Sequence, residues 1–193
     1  MNSKIWFYSF TLLALVGAFS ACKKDEEEPE PETTHTHVHE EEVITTVELH
    51  LTKSDSTAKE SEFTWSDADG PGGNEPSIDT VFLDSSSVYK SDLHFGDESD
   101  GHGHAHDVTH ELEEEADEHL ICFDPMDKLA QSLQVTRTDS DGKYEVGLKS
   151  EWKTSGASTG KIKITLKHQP GVKDGSCSPG ETDIEIEFPV VIK

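Results

Sequence analysis

From Val43 onward the chain alternates apolar and polar residues, the period of two that is typical of strands with one buried face. Turns rich in Gly, Asp and Ser separate these stretches. Since each stretch is apolar on one face only, the pattern predicts an all-β fold, an antiparallel, immunoglobulin-like β-sandwich. The predicted strands are 43–51, 63–65, 79–84, 88–95, 120–123, 133–138, 144–152, 162–166 and 184–192.

One segment, residues 107–118, departs from this alternation and favours a helix. Asp107 suits the N-cap position, and a run of Glu residues has good helix propensity. Its only apolar residues are Val108, Leu112 and Ala116, too few for a wide buried face. We therefore expect one short surface helix within a His- and Glu-rich insertion, residues 94–119.

The N-terminal residues have the pattern of an export signal. Lys4 precedes an apolar run, residues 5–19, which is too short to cross a membrane comfortably. Small residues then lead into Cys22, as in the lipobox where a Cys thiol is acylated. The sequence predicts a signal peptide over 1–21, a lipid anchor (palmitate) at Cys22 and an outer-membrane location. A plain secretory signal with an incidental Cys is the alternative.

Residues 22–42 are acidic, contain Pro and lack an apolar core pattern, so we expect an extended tether before the domain at 43–193. The 193-residue chain has 40 acidic and 16 basic residues and a net charge of -24. Such a charge argues against nucleic acid as a partner. No phosphate-binding loop or nucleophile motif is present, so we expect no enzyme activity.

Histidine is concentrated in two segments, which hold nine of the eleven His residues. Imidazole together with carboxylate is the ligand set of Zn, Cu(II) and Ni(II), and His-rich tracts are typical of metal binding. A helix from Asp107 would place His110 and Glu114 one turn apart on one face with His106. The predicted ligands are His94, His102, His104, His106, His110, Glu114 and His119, with His35, His37 and His39 of the tether as further candidates.

Zinc is the metal we expect first, copper or nickel next, and calcium less. For calcium the candidates are Asp67 and Asp69, two carboxylates followed by Gly70. The distal Glu of an EF-hand loop is missing, and a tight turn explains the segment at least as well.

Cys122 and Cys177 remain as an even pair if Cys22 carries lipid. In an oxidising compartment such a pair predicts a disulfide. Metal binding through these thiolates, beside His119, is the alternative.

Five segments of the domain, among them VITTVELHLT (43–52), FTWSDADGPGGNEP (63–76) and THELEEEADEHLICF (109–123), resemble a group of small Bacteroidota-type outer-membrane lipoproteins. The others are TSGASTGKIKITLKHQP (154–170) and GETDIEIEFPV (180–190). This group is sometimes labelled "type 1 periplasmic binding fold", which implies an α/β fold, whereas the strand pattern here predicts β structure. The resemblance implies no established activity.

Together these features predict a lipid-anchored protein, on the cell surface or the periplasmic face of the outer membrane, that binds divalent transition metal through its His-rich segments. Such a protein could serve an outer-membrane transporter. The alternative is a structural or adhesive surface module whose His and acidic tracts only solvate it.

Overall fold

The structure, a computed structural model, describes residues 43–55, 60–70, 72–99 and 106–193. All of them fall within one compact unit, His39–Lys193. Neither of the helices in these ranges is long and apolar enough to cross a membrane. The predicted signal peptide, Cys22 and the tether lie outside the described residues.

Within the described ranges the chain is mostly β, as the alternation predicts. It has one α-helix, α1 (Val108–Glu114), and a 3₁₀ helix (Asp127–Gln131). The strands are β1 (Thr46–Lys53), β2 (Ser61–Ser66), β3 (Ser77–Ile78), β4 (Val81–Leu83), β5 (Val88–Asp97), β6 (His106–Asp107), β7 (His119–Pro125), β8 (Leu133–Arg137), β9 (Lys149–Thr154), β10 (Ser158–His168) and β11 (Glu181–Ile192).

The strands form two sheets. A seven-stranded sheet has the order β3-β2-β1-β5-β9-β8, with β6 added beside β5, and its pairs are antiparallel. A four-stranded sheet has the order β4-β11-β10-β7. Its β4–β11 pair is parallel, so the expectation of a purely antiparallel fold is wrong at this edge. The long stretch of chain between β4 and β11 supplies the crossover that parallel pairing requires.

Both sheets contribute to one hydrophobic core, which explains why the alternation predicts the strands. In β1, Val47 and Leu49 are fully buried, and in β11 Phe188 is fully buried with Val190 beside it. The indole of Trp152, also fully buried, packs edge-on to Phe123 with ring centroids 6.1 Å apart. The residues between the buried ones face away from the core, so the outer face of the seven-stranded sheet carries polar side chains.

Two predicted elements are shorter than the pattern indicates. Residues 144–148 are irregular, and the strand begins only at Lys149. Val146 and Leu148 are buried, yet their carbonyls accept from the amides of Ile121 and Leu93 outside any regular ladder. The burial explains the alternation there, although no strand forms.

The helix is also shorter than predicted, and Asp107 precedes it without making a side-chain capping hydrogen bond. Val108, Thr109 and Leu112 are its buried residues, and the Thr109 hydroxyl accepts from the Phe95 amide of β5 at 2.8 Å. The helix therefore packs against the end of β5, close to the outward-facing histidines of the sheet.

Candidate functional site

Three polar side chains meet on the outer face of the seven-stranded sheet, where β1 and β5 pair. Glu48 lies directly opposite His94 in the antiparallel register, and His50 is two residues further along β1. Because Leu49 and Leu93 turn inward, the side chains next to them in each strand face outward together. The rings of His50 and His94 meet edge to face, with centroids 4.8 Å apart.

His50 is held between two carboxylates. Its Nδ1 lies 2.8 Å from Glu60 Oε1, and its Nε2 lies 3.5 Å from Glu48 Oε2. Burial opposes protonation of this ring, but the hydrogen bonds to Glu60 and Glu48 outweigh it and raise the pKa of His50 above its ordinary value. A metal ion would thus compete with a proton for the same nitrogens.

The His50–His94 pair lines a cavity of about 280 Å³, which we call the histidine pocket. Its wall is completed by β6, where His106 pairs with Asp97, and by the start of α1. The Nε2 of His106 lies 2.8 Å from Glu111 Oε1. The titratable residues of the wall are Glu48, His50, His94, Glu98, His106 and Asp107.

The structure brings only part of the predicted metal set to this pocket, namely His94 and His106. His110 and Glu114 are one turn apart, with Nε2 and Oε1 separated by 3.5 Å, but both are about two-thirds exposed and do not line it. Within the described ranges, no group of three or more His, Cys, Asp or Glu side chains is arranged to hold an ion. His35, His37, His39, His102 and His104 lie outside those ranges.

His119, another predicted ligand, lies away from the pocket. It begins β7, is 1% exposed and stacks on His168 of β10. The His-rich tract does not indicate that His119 is buried, because His119 is the last residue of the tract and the chain returns to the core there.

His50 was missed by the sequence analysis, since it stands alone in a strand and not in a His-rich tract. The signal that could have found it is its outward position on the predicted strand 43–51, the same face as Glu48.

No protein-family model matches the chain, and no curated protein or solved structure matches it significantly.

The predicted calcium pair occupies a turn. Asp69 Oδ2 accepts from the backbone N–H and the side-chain amide of Asn74, at 3.0 and 2.6 Å. The backbone hydrogen bond from Asn74 lowers the pKa of Asp69, so this carboxylate is ionised and already bound. Asp67 also enters the turn, since its carbonyl accepts from Gly70. These contacts are those of an Asx turn, and calcium binding stays a prediction.

The predicted disulfide is confirmed: Cys122 and Cys177 are bonded across a sequence separation of 55. Cys122 lies in β7 and Cys177 in the 169–180 loop before β11. The bond therefore ties that loop to the edge strand of the four-stranded sheet, and these sulfurs are not free to bind metal as thiolates.

Proposed function

We propose that this protein is a lipid-anchored outer-membrane protein with an immunoglobulin-like β-sandwich that binds divalent transition metal, zinc first, at the histidine pocket. The observation that carries the proposal is the pairing of His50 and His94 above Glu48 in one cavity. Two imidazoles fixed on neighbouring strands form the rigid part of such a site.

The chemistry of the pocket suits borderline metals more than calcium. Imidazole nitrogen binds zinc at about 2.0–2.1 Å, while calcium takes oxygen ligands. His106, Glu98 and Asp107 lie on the same wall and offer one more nitrogen and further oxygens. Because the described side chains do not form a ready group of three ligands, we propose binding with water filling part of the coordination shell.

The charge of the chain supports capture of cations. A net charge of -24 raises the local concentration of divalent ions around the domain. Anchored by Cys22 near the membrane, the protein would present metal to an outer-membrane transporter. The protein could present metal to the transporter from the cell surface or from the periplasmic face of the outer membrane.

The test is a zinc titration by calorimetry at pH 7.5 on the mature chain with its disulfide intact. His50→Gln and His94→Gln should each weaken zinc binding at least tenfold, about 1.4 kcal/mol. The matched control is His110→Gln, which removes one imidazole that also faces a carboxylate but does not line the pocket. We expect its affinity to stay within about twofold of wild type, a change of about 0.4 kcal/mol.

A second comparison separates the pocket from the His-rich tract. Replacing His102, His104, His106 and His110 together by Gln keeps the polarity of the segment and removes its nitrogens. Equal losses from this variant and from His94→Gln would mean that pocket and tract act as one site. If wild type binds neither Zn²⁺, Cu²⁺ nor Ni²⁺ below roughly 100 μM, or about 5.5 kcal/mol, the structural or adhesive module replaces this proposal.

The anchor is tested separately. Cys22→Ala should move the protein from the membrane fraction to the soluble fraction, because the acyl chains contribute about 0.8 kcal/mol for each buried methylene. An unchanged membrane fraction would contradict the lipoprotein assignment without affecting the metal measurement.

A further inference from the structure

Two imidazoles stack inside the fold, where β7 begins. His119 and His168 are register partners on β7 and β10, and their rings are nearly parallel, 9° apart with centroids separated by 4.8 Å. His119 is 1% exposed. Its Nδ1 lies 3.1 Å from the carbonyl oxygen of Glu115, the C-cap residue that follows α1. The stack therefore fastens the end of the helix to the four-stranded sheet.

The hydrogen bond to Glu115 fixes the tautomer of His119. Since a carbonyl oxygen only accepts, Nδ1 carries the hydrogen and Nε2 carries the lone pair. Nε2 is buried and has no hydrogen-bond partner among the described residues. A proton added there would place a charge in the interior with no acceptor facing it.

The charged groups around the stack come from three elements. Glu115 and Glu118 belong to the turn between α1 and β7, and Glu118 Oε2 lies 3.5 Å from Nε2 of His168 on β10. Lys173, in the loop after β10, binds the carbonyl of Ala116 at 2.7 Å and is paired with Asp141. Glu118 favours a proton on His119, while Lys173 and His168 oppose one there.

We propose that the His119–His168 stack is a pH-sensitive switch, which holds α1 onto β7 while His119 is neutral and releases this junction when the surroundings acidify. The start of α1 is held to β5 separately, by the hydrogen bonds between Thr109 and Phe95, so the histidine pocket is not part of this junction. The inference does not depend on metal binding, since His119 is not part of that pocket.

The direction of the effect follows from burial. Desolvation lowers the pKa of His119 to about 4, against the opposing effect of its hydrogen bond to Glu115. When the junction opens, the pKa of the His119 ring returns to its ordinary value of about 6.5. The closed form is therefore fully favoured above pH 6.5 and loses that advantage as the pH falls from 6.5 towards 4.

Hydrogen exchange of the mature, disulfide-bonded chain without metal tests the switch. Between pH 7 and pH 4.5 the protection factors of the Glu115, Glu118 and Ile121 amides, corrected for intrinsic exchange, should fall about 50-fold. In His119→Phe, which keeps an aromatic ring that does not titrate, they should change less than about fivefold. His110→Gln removes an exposed imidazole of α1 and should respond like wild type.

The same pH response in wild type and in His119→Phe would overturn the switch. If His119→Phe does not fold, an NMR titration of the His119 ring in the unmodified chain decides. A pKa well below 6.5 supports the switch, and a pKa at or above 6.5 overturns it. Neither outcome changes the zinc affinity expected at pH 7.5, so this inference and the proposed function can fail separately.

Discussion

Lys173 and Asp141 form an ion pair 2.8 Å long, with side chains that are only 3% and 6% exposed. The ammonium also donates to the carbonyl of Ala116, and the carboxylate accepts from the backbone amides of Lys143 and Tyr144. The pair thus joins the turn after α1, the connection between β8 and β9 and the loop before β11, three segments without a shared strand ladder.

Asp141→Asn should destabilise the fold, because it leaves the Lys173 ammonium covered and without its counter-charge. Breaking a buried pair costs about 3–5 kcal/mol, and we expect about 3 because loops rather than the apolar core cover this one. The midpoint of urea unfolding measures the loss. The matched control is Asp84→Asn, which breaks the more exposed Lys53–Asp84 pair at 2.9 Å and should shift the unfolding midpoint far less. Equal losses in both variants would contradict a special role for the covered pair.

The same pair predicts resistance to acid. Burial acts to raise the pKa of Asp141, but the Lys173 ammonium and the backbone donors outweigh it and lower the pKa to about 2. In the unfolded chain the value is about 3.9, so the stabilisation is complete above that pH and disappears as the pH falls through about 2. The difference between the unfolding midpoints of wild type and Asp141→Asn should therefore be constant from pH 7 to 5 and close below pH 4. If the difference between the two midpoints disappeared already near pH 6, a group other than Asp141 would control the pH dependence.

The strands could be predicted because most of them bury one face in the shared core. In β1, Val47, Leu49 and Leu51 are buried, whereas Glu48 and His50 between them are only half-buried, which is the pattern that the sequence displays. β3 and β6 have two residues each, too few to show a period. In residues 144–148 the sequence alternates although no strand forms. Val146 and Leu148 are buried and produce the period of two, but the backbone turns away from the strand ladder at Gly147.

The site could be predicted only in part, because the relevant neighbours are set by register. That Glu48 faces His94 depends on the pairing of β1 with β5, which no short-range spacing shows. His119 lies in the same tract as His106, yet the return of the chain to the core places it against His168. The His-rich tract therefore contains residues that lie far apart in the fold, such as His106 and His119. It does not contain His50, which lines the pocket.

Gly180 should tolerate no side chain. Its backbone has φ +80°, and a Cβ there would overlap the carbonyl oxygen of His168. Gly180→Ala should destabilise the protein by more than about 3 kcal/mol, since a steric clash with backbone adds to the strain of a left-handed residue, itself about 1–2 kcal/mol. The control is Gly142→Ala, which has φ +95° but open space around its Cβ and should show the strain alone. Thermal unfolding compares the two, and equal losses would mean that the loop moves to relieve the clash.

The disulfide should contribute most of the stability of the 169–180 loop. In a Cys22→Ala background, where Cys122 and Cys177 are the remaining thiols, neither should react with a thiol reagent until the protein is reduced. Closing a loop with a sequence separation of 55 contributes about 4 kcal/mol in the chain-entropy model, so reduction should lower the free energy of unfolding by about that amount. The double variant Cys122→Ser/Cys177→Ser is the control: it should start at the lower stability and not respond to reductant. Labelling of both thiols without reductant, or an unfolding midpoint that reduction leaves unchanged, would contradict a stabilising bond.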